Sequence, residues 1–297
     1  MSLFPCYRGS VNAWECDEND HLNVRYYLAK SNQGLPLLLG HLGLSPAARP
    51  RIRLQHVRFL KEARTATPLT AAAGLVEGGP SGIKLYGEVR HSQSGEPLAT
   101  ILTEVDFPGA GPVAPAADAP RCTVPEHGAP RGVAPDSPVL RPDRGRLGEM
   151  GFVEIGRGAI AAAECDLSGE MEPYQYVGRM SDSVVNLLAQ FQTDEELSRR
   201  SLGVEGGALV ELRIAFHAPL HAGSFFTIHS GVAELGRKTQ HFVHLFFDEL
   251  SGKCVATADG IAVAMDLATR RAIELPEARR RRIEARLLRL PRRGGGG

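Results

Sequence analysis

Near the N-terminus, Asp17, Asn19, His21 and Asn23 alternate through the string Trp14-Glu-Cys-Asp-Glu-Asn-Asp-His-Leu-Asn-Val-Arg-Tyr-Tyr27. A carboxylate set among amides and an imidazole suits proton transfer or direct attack on a carbonyl, as base or as nucleophile. An apolar periodic run begins just after Asn23, so the string opens a helix. The first N–H groups of a helix have no intrahelical acceptor and can receive a developing oxyanion. The same residue types dominate at N-caps, and Asp17, Asn19 or Asp20 would fit there as caps. Four polar residues at alternating positions are more than one cap needs. Cys16 sits directly before Asp17, where it reads as a small filler or, less simply, as a reactive thiol.

The elements that must position this string follow from the periodicity. A short strand over about Arg8 to Glu15 leads through a polar turn, Cys16 to Asn23, into a helix from Val24 to Gly40. Three or four strands come next, with Ser94-Gly95 as a turn. The layout then repeats. Arg8–Asp17 aligns without a gap to Arg157–Asp166, both ending in Glu-Cys-Asp, and the register continues into Leu22/Met171, Tyr27/Tyr176 and Lys30/Arg179. Val57–Phe59 then matches Ile214–Phe216, and Ser94–Thr100 matches Ser251–Thr257. Matching blocks in the same order make this a duplicated domain. The second helix is expected over Pro173 to Phe191, with proline at its start, and a hairpin over His241–Phe247 and Val255–Val263. A strand, a long helix and then antiparallel strands form an α+β layout. The expected division is 1–108 and 150–268 for the two copies. Residues 109–149 form a Pro/Ala/Gly-rich extended linker, and 269–297 a basic tail.

Composition removes several classes of function. Lys+Arg and Asp+Glu are 34 each in 297 residues, giving zero formal net charge, so no nucleic-acid partner is expected. No apolar run approaches the roughly 20 residues of a membrane span, and no membrane role is expected. The N-terminus lacks a secretory pattern, and the five cysteines are scattered without Cys-x-x-Cys spacing, so a cytoplasmic protein is expected. The run Arg279–Arg282 reads as the solvated face of an amphipathic helix with Ile283, Leu287 and Leu290 as its packed stripe. There is no Gly-x-Ser-x-Gly nucleophile elbow. His217 and His221 are separated by Pro219, which breaks the helix that would aim both at a metal, so no metal site is expected.

The string from Asp17 resembles the signature of hotdog-fold thioesterases, in particular the hydroxybenzoyl-CoA thioesterase-like group. That pattern runs Asp-x-Asn-Gly-His-x-Asn followed by a tyrosine. Asp17, Asn19, His21, Asn23 and Tyr26 fit it, and Asp20 stands where glycine is usual. The second copy keeps Asp166 and Gly169 but carries Glu170 and Glu172 in place of His21 and Asn23. Phe216–Phe225 resembles the strand-turn-strand in which the family carries Pro-Leu-x-Ala-Gly-Asp, and Ala256–Gly260 matches another of its strands.

The resemblance implies a tandem (double) hotdog, each repeat a long helix wrapped by a curved antiparallel sheet, the two pairing as a pseudo-dimer. It implies hydrolysis of an acyl thioester, either acyl-CoA or an acyl carrier protein, with no cofactor beyond the coenzyme A of the substrate. Asp17 would be base or nucleophile, assisted by His21 and Asn23. The backbone N–H groups of Asn23 and Val24 would form the oxyanion hole, and Asn19, Trp14 and Tyr26 would contact substrate. Trp14, Tyr26 and Tyr27 read equally well as plain core. Asp166 and Glu170 are candidates for a second site, in which two close carboxylates would raise the pKa of one of them; the simpler and favoured reading is a site no longer used, with Glu170 and Glu172 favourable near the positive end of a helix. A homodimer of double hotdogs remains open. So do two other readings: a hotdog hydratase or dehydratase, whose usual Asp-x-Asn-Pro-x-His is not matched, and a non-catalytic thioester-binding protein.

Overall fold

The structure, a computed structural model, describes residues 3–44, 50–79, 82–108, 114–134 and 139–290. The chain begins with β1 (Phe4–Ser10), a 3-10 turn (Ala13–Glu15), α1 (Val24–Gln33) and α2 (Leu35–His41). It continues with β2 (Arg51–Phe59), β3 (Pro68–Gly79), β4 (Gly82–His91) and β5 (Pro97–Asp106). The second copy runs through α3 (Leu147–Met150), β6 (Val153–Ala159), a 3-10 turn (Ala162–Glu164), α4 (Pro173–Leu188), α5 (Asp194–Ser201) and β7 (Glu205–Phe216). It ends with β8 (Phe225–Leu235), β9 (Thr239–Asp248), β10 (Cys254–Asp266), β11 (Arg271–Ile273) and α6 (Glu277–Glu284). Two compact units result. Unit 1 holds Met1–Ser137, Pro173–Gly178 and Val210–Phe216; unit 2 holds Pro138–Glu172, Arg179–Leu209 and His217–Gly297.

In unit 1 the antiparallel order is β1-β3-β4-β5-β2, and the last residues of β7 pair with β2 in the register Val57↔Leu212. The expected single helix is broken at Gly34. Pro36 cannot donate to a carbonyl one turn back, and a Cβ at Gly34 would lie 2.6 Å from Cys6 Sγ, so only glycine lets the helix pass β1 this closely. Beyond the break, Leu38 and Leu42 of α2 pack on Leu75, Leu85 and Val105 of the sheet, all buried. Each such leucine contributes about 1.5–3 kcal/mol by leaving water. The expected first strand is shifted: it covers Phe4–Ser10, and Ala13–Glu15 winds as a 3-10 turn.

Unit 2 repeats the plan with the order β10-β9-β8-β6, and β11 on β10. The expected hairpin is present as β9 and β10, and Gly252 in its turn has φ 66°. Helix α4 lies on β6, where Asn186 Nδ2 donates to Ile155 O at 2.7 Å.

The expected free linker is not free where it is described. Residues 114–134 lie on unit 1: Cys122 N–H donates to Leu75 O at 2.7 Å, and Val133 is buried. The anchor is Glu211, a buried carboxylate paired with His56 at 2.7 Å that also accepts the N–H groups of Arg131, Gly132 and Val133. Burial pushes the Glu211 carboxyl up, but these bonds outweigh it and hold the group at about 2. Residues 139–150 belong instead to unit 2, with Leu147 and Met150 buried against Val243, Leu245 and Phe247. Poor apolar content therefore does not prevent docking here, because polar anchors replace apolar area. Residues 109–113 and 135–138 of the expected linker lie outside the described residues.

The tail differs from expectation in the same way. Ile283 is fully buried, but α6 ends at Glu284 and Leu288, not Leu287, enters the cluster with Leu147 and Met150. Arg279, expected on a solvated face, is 2% exposed and paired with Glu196 and Glu205. No helix among the described residues is long and apolar enough to cross a membrane.

Candidate active site

The string from Asp17 to Asn23 is a tight loop closed on itself. Asp17 N–H donates to His21 O at 2.8 Å, and Asp17 Oδ1 accepts the N–H groups of Asn19 at 2.9 Å and His21 at 3.4 Å. Asp20 makes the turn possible with φ 58°, the left-handed region where aspartate is among the few tolerated non-glycine residues. Its counterpart Gly169 has φ 81°, which explains glycine as the usual residue there. Asp17 is half-buried, and burial pushes its carboxyl above the usual carboxylate range despite the two N–H bonds. One oxygen is thus fixed, whereas Oδ2 accepts no hydrogen bond among the described residues.

His21 is held from the side the sequence reading missed. Its Nε2 lies 3.0 Å from Glu62 Oε2, and the ring is mostly buried. Glu62 follows β2, where the second copy aligns Pro219, so the pairing acid and His21 are absent together from that copy. That joint absence was the available signal.

Asn23 is the N-cap of α1: its Oδ1 accepts Arg25 N–H at 3.1 Å. Its own N–H donates to Glu15 O at 2.9 Å. This corrects the expected oxyanion pair, because a donor committed to a carbonyl does not also hold an oxyanion. The Val24 N–H remains, with no acceptor among the described residues.

Beneath the loop lies a buried ion pair. Lys30 Nζ donates to both Glu15 carboxylate oxygens, at 2.8 and 2.9 Å, and to Ser10 O at 3.0 Å. Glu15 also accepts Asn12 N–H at 2.8 Å, so one carboxylate ties the 3-10 turn to α1. The second copy builds the same clasp from Glu164 and Arg179, at 2.6 and 2.8 Å. Cys16 and Cys165 each donate to the carbonyl four residues back, Asn12 O and Ala161 O, a repeated structural contact.

The second loop keeps the backbone but not the chemistry. Asp166 Oδ1 accepts Ser168 N–H and Glu170 N–H at 2.8 and 3.1 Å, yet the residue is exposed. Glu172 N–H donates to Glu164 O at 2.9 Å, and the next residue is Pro173, so no N–H stands where Val24 offers one. Burial first, and then Asp166, pushes the Glu172 carboxyl up there.

The aromatic residues separate. Trp14 is 77% exposed and so is not core. Tyr27 is buried and structural: its hydroxyl donates to Lys61 O and accepts Ala63 N–H. Tyr26 is half-exposed at the helix start, with the Arg25 guanidinium over its ring at 4.6 Å. His217 Nε2 is taken up by Thr257 Oγ1 at 3.1 Å.

The raised carboxyl of Asp17 has a stability consequence. A carboxyl raised on folding stabilises the fold below its unfolded pKa, and that contribution is lost as pH rises through the folded value. Asp17→Asn removes an ionised group the fold disfavours and keeps an oxygen for the two N–H groups. Its melting temperature should equal or exceed that of the native chain at pH 7, and the advantage should vanish below about pH 4. A lower melting temperature at pH 7 would contradict the burial argument.

Comparison with known proteins bears on the fold. Residues 160–283 match the sequence model of the thioesterase-like superfamily. In structure the chain is similar to a protein described as an oleoyl thioesterase from Lactobacillus plantarum, with 13% identity and a TM-score of 0.64. That match covers 93% of this chain and 98% of the other. It is also similar to an acyl-ACP thioesterase from Bacteroides thetaiotaomicron, with 10% identity, a TM-score of 0.61, and 86% and 96% covered. A third is the 12:0-ACP thioesterase from Umbellularia californica, with 11% identity, a TM-score of 0.61, and 88% and 94% covered. No curated protein matches the chain in sequence. The likeness in fold extends over most of the chain, and the stretch that the family model matches lies in the second copy.

Proposed function

We propose that the first copy hydrolyses an acyl thioester, carried on coenzyme A or on an acyl carrier protein, with Asp17 as base. The observation that carries this reading is the division of labour at Asp17: Oδ1 is fixed by two N–H groups and Oδ2 is left unclaimed by the described residues. Water attacks the thioester carbonyl and gives its proton to Oδ2. The carbonyl oxygen becomes an oxyanion facing the Val24 N–H, and the C–S bond breaks as the carbonyl re-forms. The thiolate leaves and takes the proton from Asp17 Oδ2, which restores the carboxylate. Direct attack by Oδ2 as nucleophile, with water opening the resulting anhydride, uses the same placement.

A base supplies roughly 10²- to 10⁴-fold and one oxyanion donor roughly 10²- to 10³-fold. His21, steadied by Glu62, orients the carboxylate or substrate. Asn23 holds the helix start, and Asn19, Tyr26 and the exposed Trp14 offer contacts to the carrier or acyl group. No metal or organic cofactor enters this scheme.

The test is a paired comparison on a panel of acyl thioesters. Asp166→Asn should leave turnover within about twofold of the native chain, because Asp166 is exposed and Pro173 supplies no N–H. A loss as large as that of Asp17→Asn would place working chemistry in the second loop.

A further inference from the structure

Away from the Asp17 loop, unit 1 carries an open groove of about 490 Å³ between the end of α2, the start of β1, and β3. That volume falls within the roughly 300–1,000 Å³ usual for small-molecule sites. Its walls are apolar, chiefly Leu3, Phe4, Leu38, Leu42 and Pro120. Two basic side chains line it, Arg121 and His41, the latter stacked on Phe4 at 4.0 Å. Neither has an acidic partner among the described residues, and no acidic residue lines the groove. The thiol of Cys122, also in the lining, is pushed up by burial and adds no negative charge. The groove lies at the far end of α2, whereas Asn23 caps the start of α1.

An apolar trough lined by an unpaired guanidinium matches one ligand shape: an alkyl chain ending in an anion. Arginine holds a carboxylate through two parallel N–H bonds, a geometry that a neutral ester cannot reproduce. We propose that this groove is a second binding site, for a free fatty-acid carboxylate, with Arg121 on the carboxylate and the chain along Leu38 and Leu42. Taking that acid as the enzyme's own released product rests on the thioesterase reading above; the binding itself does not.

The test uses the full chain and a dodecanoic acid probe carrying a photoreactive diazirine on its alkyl chain, below its critical micelle concentration. Mass spectrometry of the irradiated protein should place the label within 38–42 and 120–122, in the native chain and in Asp17→Asn alike. Arg121→Glu, a change at an exposed position, should reduce labelling by about tenfold or more. Unlabelled acids should compete with about fourfold weaker affinity for each methylene removed, as about 0.8 kcal/mol per buried methylene requires. The methyl ester of the same chain should compete at least about tenfold less well. Label confined to the Asp17 loop, labelling unaffected by Arg121→Glu, equal competition by the ester, or no labelling at all would overturn the groove. Any of these results with thioester hydrolysis intact leaves the proposed function standing, and loss of hydrolysis in Asp17→Asn with groove labelling retained separates the two sites.

Discussion

Asp17→Asn should lower kcat for thioester hydrolysis by about 10²-fold or more without unfolding the chain. The amide oxygen of asparagine still accepts the Asn19 and His21 N–H groups, so the loop keeps its shape. What disappears is the proton acceptor at the second oxygen. A base acts in the transition state, so kcat and kcat/KM should fall together, with KM little changed. The pH profile makes the assignment specific. Activity of the native chain should fall as pH drops through the Asp17 carboxyl, at a point above the ordinary carboxylate range because burial raises it. The residual activity of Asp17→Asn should lack that limb. A rise in KM with kcat unchanged would make Asp17 a binding residue instead.

Lys30→Met is the second large effect, and it is one of stability. The ammonium and the Glu15 carboxylate are both largely buried, and Lys30 makes four hydrogen bonds there, two to Glu15, one to Ser10 O and one to the Tyr7 hydroxyl. Removing one partner of a buried pair leaves the other charge uncompensated, at a cost of about 3–5 kcal/mol. Lys30→Arg should cost much less, because the second copy builds the same clasp with Arg179. Denaturant unfolding checks both. Equal, small losses for the two variants would mean that the pair is dispensable to the loop it underlies.

The repeat and its main loop were legible because they rest on local rules. Alternating polar residues before an apolar period mark a helix entry, and the Glu-Cys-Asp strings fall on turns with matching hydrogen bonds. Ser94-Gly95 and Ser251-Gly252 are turns whose glycines adopt positive φ. What escaped the sequence depends on partners distant along the chain. Glu62 reaches His21 only after β2 has folded back, and the Asn23 N–H is spent on Glu15 O, which no spacing rule shows. Arg279 looks like one of four solvated arginines until α5 and β7 bring Glu196 and Glu205 to it. The Pro/Ala/Gly-rich stretch is seated by Glu211, a single buried acid of the other copy's sequence.

The central claim is that this chain cleaves thioesters at the Asp17 loop, and thiol release tests it most directly. Acyl-CoA and acyl carrier protein substrates of varied chain are incubated with the native chain and with Asp17→Asn, and free thiol and free acid are quantified in the same samples. Equal amounts of thiol and acid from the native chain, with the Asp17→Asn rate lower by about 10²-fold or more, is the predicted result. A hydroxylated acyl group still attached to its carrier, or tight binding with no thiol released, would contradict it.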